Sequence, residues 1–268
     1  MTAFFQEASD CTAGFKARVV IARDGLALQQ VYQADLAVSF AATPADCSQT
    51  GCNWPLALAL PIPEDWQSGV YTVTLTVPGH ESQHMFVLRA AQPSARIVMV
   101  LARGTWGAYN DWGGVDRSQR LSGPQGGASA PPVSLRRPWA KGFVRWPADA
   151  PRIPHASPLL SKPRYPHMDY ARARGISKKY ASSGWAAFER PFALWCEAQG
   201  IALDYTTQHD LHRNAAELDG WPRALIAGHD EYWTWEMRDH LEGWLDSGGQ
   251  LARFGGNFFR QTRLSGDL

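Results

Sequence analysis

Apolar residues follow two rhythms along the chain. Up to about residue 93 they alternate with polar ones in short runs: FKARVVIA, VYQADLAVSF, LALALPI, GVYTVTLTV and HMFVLRA, separated by Gly, Pro, Asp and Asn. A period of two marks half-buried strands. The last two runs read as antiparallel partners across a polar turn at Pro78–Gly79. Short strands with regular turns predict an all-β domain, a β-sandwich, over residues 1–93.

From residue 94 the pattern becomes that of an α/β domain extending to residue 268. RIVMVLA (Arg96–Ala102) is continuously apolar, as in a strand buried on both faces of a parallel sheet. Phe188, Phe192 and Trp195 are spaced for a helix with Pro191 in its first turn. IALDYTT, RALIAG and QLARFG read as further strands. Between the last two, a helix carries Trp233, Met237, Leu241 and Trp244 on one stripe and stops at Gly248–Gly249. Strand, helix and strand in that order predict a right-handed parallel unit. Residues 104–166 show no sustained period, yet Trp106, Tyr109, Trp112, Trp139, Phe143 and Trp146 argue against disorder there. The basic segment SKPRYPHMDYARARGISKK reads as a solvated loop.

Charge narrows the partners. With 26 basic and 25 acidic residues the net charge is +1, so no nucleic-acid partner is expected. No apolar run approaches the ~20 residues of a membrane span, and the start lacks the features of a secretory signal. The expectation is a soluble cytoplasmic protein with no membrane partner. Cys47 and Cys52 flank SQTG and would bridge only in an exported protein; Cys196 reads as a buried thiol on a helix. No Cys/His set has zinc-finger spacing.

In open parallel sheets, ligands bind beyond the carboxyl ends of the strands. RGTWGAYNDWGG, HDEYW and GNFF each follow such an end, so Tyr109, His229, Glu231 and Asn257 are expected to converge. Each has a plainer reading. Asp230 or Thr234 can cap the helix, Glu231 can favour its dipole, Tyr109 can be core, and Asn257 can be a turn residue. HDLH (His209 to His212) reads as a loop or helix start in preference to a metal pair. There is no Gly-x-Ser-x-Gly elbow and no His-Glu-x-x-His helix. Oxygen ligands with a His suit a hard ion such as ferric iron. In an extended HDE segment, His229 and Glu231 share a side and Asp230 faces away, which makes Asp230 the dispensable carboxylate.

GTWGAYNDWGG, HDEYWTWEMRDHLEGWLDSGGQLARFGGNFF and WQSGVYTVTL together resemble the large (β) subunit of N,N-dimethylformamidase, from about Trp66 onward. The resemblance implies a β-sandwich joined to an amidotransferase-like (Rossmann/flavodoxin-like) α/β domain that hydrolyses a small amide, a formamide, to amine and formate. It implies a mononuclear iron (Fe3+) held by two tyrosines and a glutamate, beside a His and an Asn. Tyr109 and Glu231 match the first tyrosine and the glutamate as metal ligands, and His229 and Asn257 match the catalytic pair. Tyr165, Tyr170 and Tyr180 compete for the second tyrosine. A homo-oligomer and a small partner subunit are the macromolecular partners left open. The sheet offers about four strands and ends soon after GGNFFRQTR, as if truncated at its C-terminal end. The alternative is therefore a non-catalytic or degenerate fragment or subunit whose β-sandwich binds carbohydrate or protein through aromatics such as Trp54 and Trp66.

Overall fold

The alternating segments pair as one antiparallel sheet in the computed structural model, which describes residues 14–114, 116, 132–151 and 165–265. Strands β1 (Phe15–Arg23), β2 (Gln29–Val38), β3 (Gly69–Val77) and β4 (His80–Leu88) lie in the order β2-β1-β3-β4. The β3–β4 register runs from Gly69↔Leu88 to Val77↔His80, leaving Pro78–Gly79 as a two-residue turn. Ala17, Val19, Ile21, Tyr71, Val73 and Leu75 bury one face. LALALPI is not a strand: Leu56–Ile62 have no regular structure, since Pro55, Pro61 and Pro63 withhold ladder donors. Leu58, Leu60 and Trp66 of this coil nevertheless pack on that sheet face. Among the described residues there is thus one antiparallel sheet, covered by coil where the sandwich expectation put a second sheet.

Val70 and Met85, from the same sheet, join a core with Met99 and Leu101. These belong to β5 (Ile97–Leu101), which runs parallel to β6 (Asp204–Thr207), β7 (Arg223–Ala227) and β9 (Gln250–Phe254) in the order β6-β5-β7-β9. Val98 and Val100 point to the other face, against Met237, Leu241 and Trp244. A β region therefore precedes an α/β region. Buried Asp24, just after β1, ties the two together. Its carboxylate accepts from Arg145 (3.0 Å), from Arg190 (2.8 and 3.1 Å) and from the Trp185 indole (2.8 Å).

The helices are α1 (Cys47–Thr50), α2 (Arg103–Tyr109), α3 (Pro166–Arg174), α4 (Glu189–Ala198), α5 (Gln208–Arg213) and α6 (Trp235–Asp246). α2 falls in the stretch read as aperiodic. Two glycines in seven residues weaken its intrinsic preference, and burial of Thr105, Trp106, Gly107 and Ala108 supplies the stability instead. α3 replaces the expected solvated loop: Pro166 starts it, Arg172 and Arg174 sit in the last turn, and Gly175 closes it at φ +61°. On α4 the buried positions are Glu189, Ala193 and Cys196, while Trp195 is 53% exposed, so the buried stripe is not the one the aromatics mark. HDLH lies in α5, capped by Thr207. Cys47, Cys52 and Cys196 are free buried thiols, and burial pushes that of Cys52 up to about 12. Among the described residues no helix is long and apolar enough to cross a membrane.

Candidate functional site

The chain leaves β5 toward β6 on one side and β7 toward β9 on the other, so a crevice opens between the carboxyl ends of β5 and β7. β7 ends at Gly228, φ +89°, where a Cβ would collide with Phe188; only glycine makes this turn without strain. Beyond it the chain is extended, as the alternation in HDE requires, and before the helix begins it forms a strand, β8 (Asp230–Trp233). It pairs in parallel with β10 (Phe258–Gln261) through Asp230↔Phe258, Arg260↔Tyr232 and Gln261↔Trp233. Extended backbone sends successive side chains to opposite sides.

Glu231 and His229 take one side. The Tyr109 hydroxyl, at the last residue of α2, donates to Glu231 Oε2 at 2.7 Å. His229 Nε2 lies 3.2 Å from the same oxygen, and its Nδ1 lies 2.9 Å from the Ser182 carbonyl. A carbonyl only accepts, so Nδ1 carries a proton. The contact between Nε2 and Oε2 then needs one further proton, held on either atom. Arg260 Nη1 donates to Glu231 Oε1 at 3.2 Å, and Lys179 Nζ stands 5.1 Å from the centre of the Tyr109 ring. Burial, and then the hydrogen bond to Glu231, push the Tyr109 phenol well above its ordinary range. Despite Arg260 and Lys179 nearby, this hydroxyl stays protonated at neutral pH.

Asp230 takes the other side and is fully buried, with both oxygens gripped by Arg253. Burial raises its carboxyl and Arg253 opposes the rise. Asp230 thus faces away from Glu231, as the alternation predicts, and what it holds is structural: its removal would strand a largely buried guanidinium. Thr234 is the helix cap, its Oγ1 accepting from Met237 N at 3.2 Å.

Asn257 does not join the group. It is exposed, its backbone carbonyl accepts from Arg253 at 2.9 Å, and its side chain makes no hydrogen bond to Tyr109, His229 or Glu231. None of the three candidate second tyrosines is brought to Glu231. The Tyr180 hydroxyl donates to the Pro151 carbonyl (3.0 Å) and that of Tyr170 to Asp149 (2.6 Å), while Tyr165 is exposed beside His167. The tyrosine ring lying against Tyr109 is that of Tyr232, at 6.0 Å. His209 and His212 do not act as a pair, since one meets Arg103 and the other Thr234. Trp54 is edge-on to Trp112 and Trp66 stacks on Tyr71, so both aromatics proposed for the β region are packed.

Among the described residues no group of three or more His, Cys, Asp or Glu is placed to hold a metal. The oxygens a hard cation would take are Tyr109 Oη and Glu231 Oε2, which already converge. Sequence reasoning missed Ser182, Lys179 and Arg260. None of the three left a signal in the sequence, because Ser182 and Lys179 lie in a turn segment and FFRQ shows no alternation that would aim Arg260. A cavity of about 720 Å³ near Asp24 and Glu197 is lined by none of these residues.

A parallel sheet with Tyr, His and Glu gathered at its switch point defines an α/β protein whose candidate site lies where open parallel sheets bind ligands. The family described as N,N-dimethylformamidase beta subunit-like, C-terminal, matches residues 11–268, and the chain belongs to it. The match begins well before Trp66, where the likeness is first visible by eye. No match is found among curated proteins.

Proposed function

We propose that the protein is an iron-dependent hydrolase of a small linear amide, of the N,N-dimethylformamidase type. The observation that carries this reading is the convergence of Tyr109 Oη and His229 Nε2 on one oxygen of Glu231, at the crevice between β5 and β7. Tyr109 and Glu231 would hold a mononuclear ferric ion, whose chemistry there is Lewis-acid polarisation of the amide carbonyl and acidification of water. Two hard oxygens fit such an ion; a third is not supplied by Tyr165, Tyr170 or Tyr180 as placed. His229, its Nδ1–H fixed on Ser182, carries a proton at Nε2 between water and the leaving amine. Asn257 would act as an oxyanion donor only after movement of the β9–β10 turn.

The β6-β5-β7-β9 order supports placing the sheet in the flavodoxin-like, amidotransferase-like class. Division at residues 93 and 94, a cytoplasmic location, a homo-oligomer and a small partner subunit belong to the same proposal. A second reading, a degenerate member without turnover, is favoured by the lack of a third oxygen ligand among the described residues. Metal analysis of the purified chain decides between them. Stoichiometric iron with a visible phenolate charge-transfer band and formamide hydrolysis is expected; a colourless, iron-free protein supplied with iron during expression would sink the hydrolase reading.

A further inference from the structure

We propose that a second cavity, between β4 and the start of α2, is a binding site for a small oxyanion of the carboxylate or phosphate type. It measures about 290 Å³ and lies beyond the carboxyl end of β6, at Thr207, with Met85, Phe86 and Val87 of β4 as its opposite wall. Its ionisable lining is Arg103, Arg137, Arg213, His84, His209 and Asp210. Arg137 is engaged by the Ser134, Trp112 and Asn110 carbonyls (3.0, 2.6 and 2.7 Å), so Arg103 and Arg213 are the guanidinium groups left to face a single carboxylate. That carboxylate already accepts from Thr207 Oγ1 (2.6 Å) and lies 3.8 Å from Arg89.

Arg103 is the least matched of the largely buried cations in this lining. It is mostly buried, yet its one hydrogen bond is to His209 Nδ1, and it makes no ion pair among the described residues. A guanidinium has five N–H donors in a planar fork, and burying it against a neutral imidazole leaves most of those donors unused, with Asp210 offsetting its charge only through space. His209 is fixed as that neutral partner. Burial, then Arg103, push its basicity far below the usual range, and accepting at Nδ1 places its own proton on Nε2. That Nε2–H is buried and has no partner among the described residues. His84 is likewise held neutral, down to about 4, by burial and then by Arg103. Arg103 and the His209 Nε2–H thus offer fixed donors to the cavity, beside more cationic than anionic side chains. Oxygen anions suit the planar guanidinium fork better than a halide does. The cavity is at the small end for a ligand site, which favours inorganic phosphate or a short carboxylate over a nucleotide.

This site is separate from Glu231. Arg103 opens α2 and Tyr109 closes it, about 9 Å apart along the helix axis. The test uses the full chain in chloride buffer, with sodium phosphate and sodium formate titrated in separate arms at constant ionic strength. Calorimetry and thermal unfolding should report saturable binding of one oxyanion per chain, with a midpoint that rises to a plateau; the arm that binds identifies the source. Arg103→Met should weaken binding roughly tenfold or more, as expected for losing a charge-assisted contact. Arg213→Gln, at an exposed wall residue with no side-chain hydrogen bond or ion pair among the described residues, should weaken it about threefold. Absence of saturable binding in both arms overturns the proposal, as does unchanged affinity in Arg103→Met or, if that variant does not fold, in Arg213→Gln.

Discussion

On one side of β8 the Asp230 carboxylate is fully buried and held at both oxygens by Arg253, whereas on the other Glu231 collects a phenol, an imidazole and a half-exposed guanidinium. Adjacent residues of the same charge type thus do different work. Asp230 is matched by one cation in fork geometry, the arrangement of a structural ion pair. Glu231 takes a phenol and an imidazole on Oε2 and a guanidinium on Oε1, three different groups from three different segments of the chain. The kind of partner, more than burial, separates the two.

The comparison predicts opposite costs. Asp230→Ala should lower unfolding free energy by about 3–5 kcal/mol, the usual result of stranding a buried partner. Asp230→Asn should also destabilise while leaving iron binding and hydrolysis little changed, since Asp230 faces away from Glu231. Glu231→Ala should cost only about 1–2 kcal/mol in stability, since it strands neutral groups and an exposed arginine, but should abolish iron binding and amide hydrolysis. Denaturant titrations beside iron analysis check both. If Glu231→Ala keeps full iron, the wrong carboxylate has been assigned.

Within the Glu231 side, His229→Ala should retain iron and slow turnover by roughly 10²–10⁴, the ordinary share of general acid–base catalysis. Iron lost together with activity would make His229 a ligand and end its assignment as proton carrier.

Glu189 adds a third kind of carboxyl. Its Oε1 accepts from Ala102 N (3.3 Å) and the Trp106 indole (2.9 Å), and no cation pairs with it among the described residues. Burial, opposed by these bonds, raises it to about 8. A carboxyl raised above its unfolded value stabilises fully below about pH 4.5, and that contribution is lost as pH climbs through about 8. The loss through that window is on the order of 1.4 kcal/mol per pH unit. Glu189→Gln should therefore gain on the wild type from pH 5 to pH 8.5 in thermal unfolding. Parallel curves for the two proteins would show that Glu189 is not held protonated.

The readable parts of this molecule are those written in local periodicity. β3, β4, β5, β7, β9 and α6 follow from alternation, continuous apolar runs and a stripe closed by glycine. Tyr109, His229 and Glu231 were found because each follows a strand, and topology brings such positions together. What escaped was set by tertiary contact. α2 is held by burial and not by propensity, and LALALPI has strand composition but prolines that bar the ladder. Arg253 was the hidden determinant of Asp230: alternation says the two carboxylates part company, but not that one meets a guanidinium 23 residues on.

The smallest effect tests what holds β8 in place. Thr234 ends the strand and begins α6, its Oγ1 accepting from Met237 N and lying 2.9 Å from His212 Nδ1. Removing a cap costs about 1 kcal/mol. If pairing with β10 positions Glu231, Thr234→Ala should lower stability by that amount and leave iron content and turnover unchanged. The two ends of β8 are anchored independently of the cap, by Asp230↔Phe258 pairing with the Arg253 grip and by Gln261↔Trp233. Loss of iron in proportion to lost stability would mean that the helix, through its cap, sets the reach of Glu231. The two sides of β8 would then share one support, and the contrast between Asp230 and Glu231 would be one of degree.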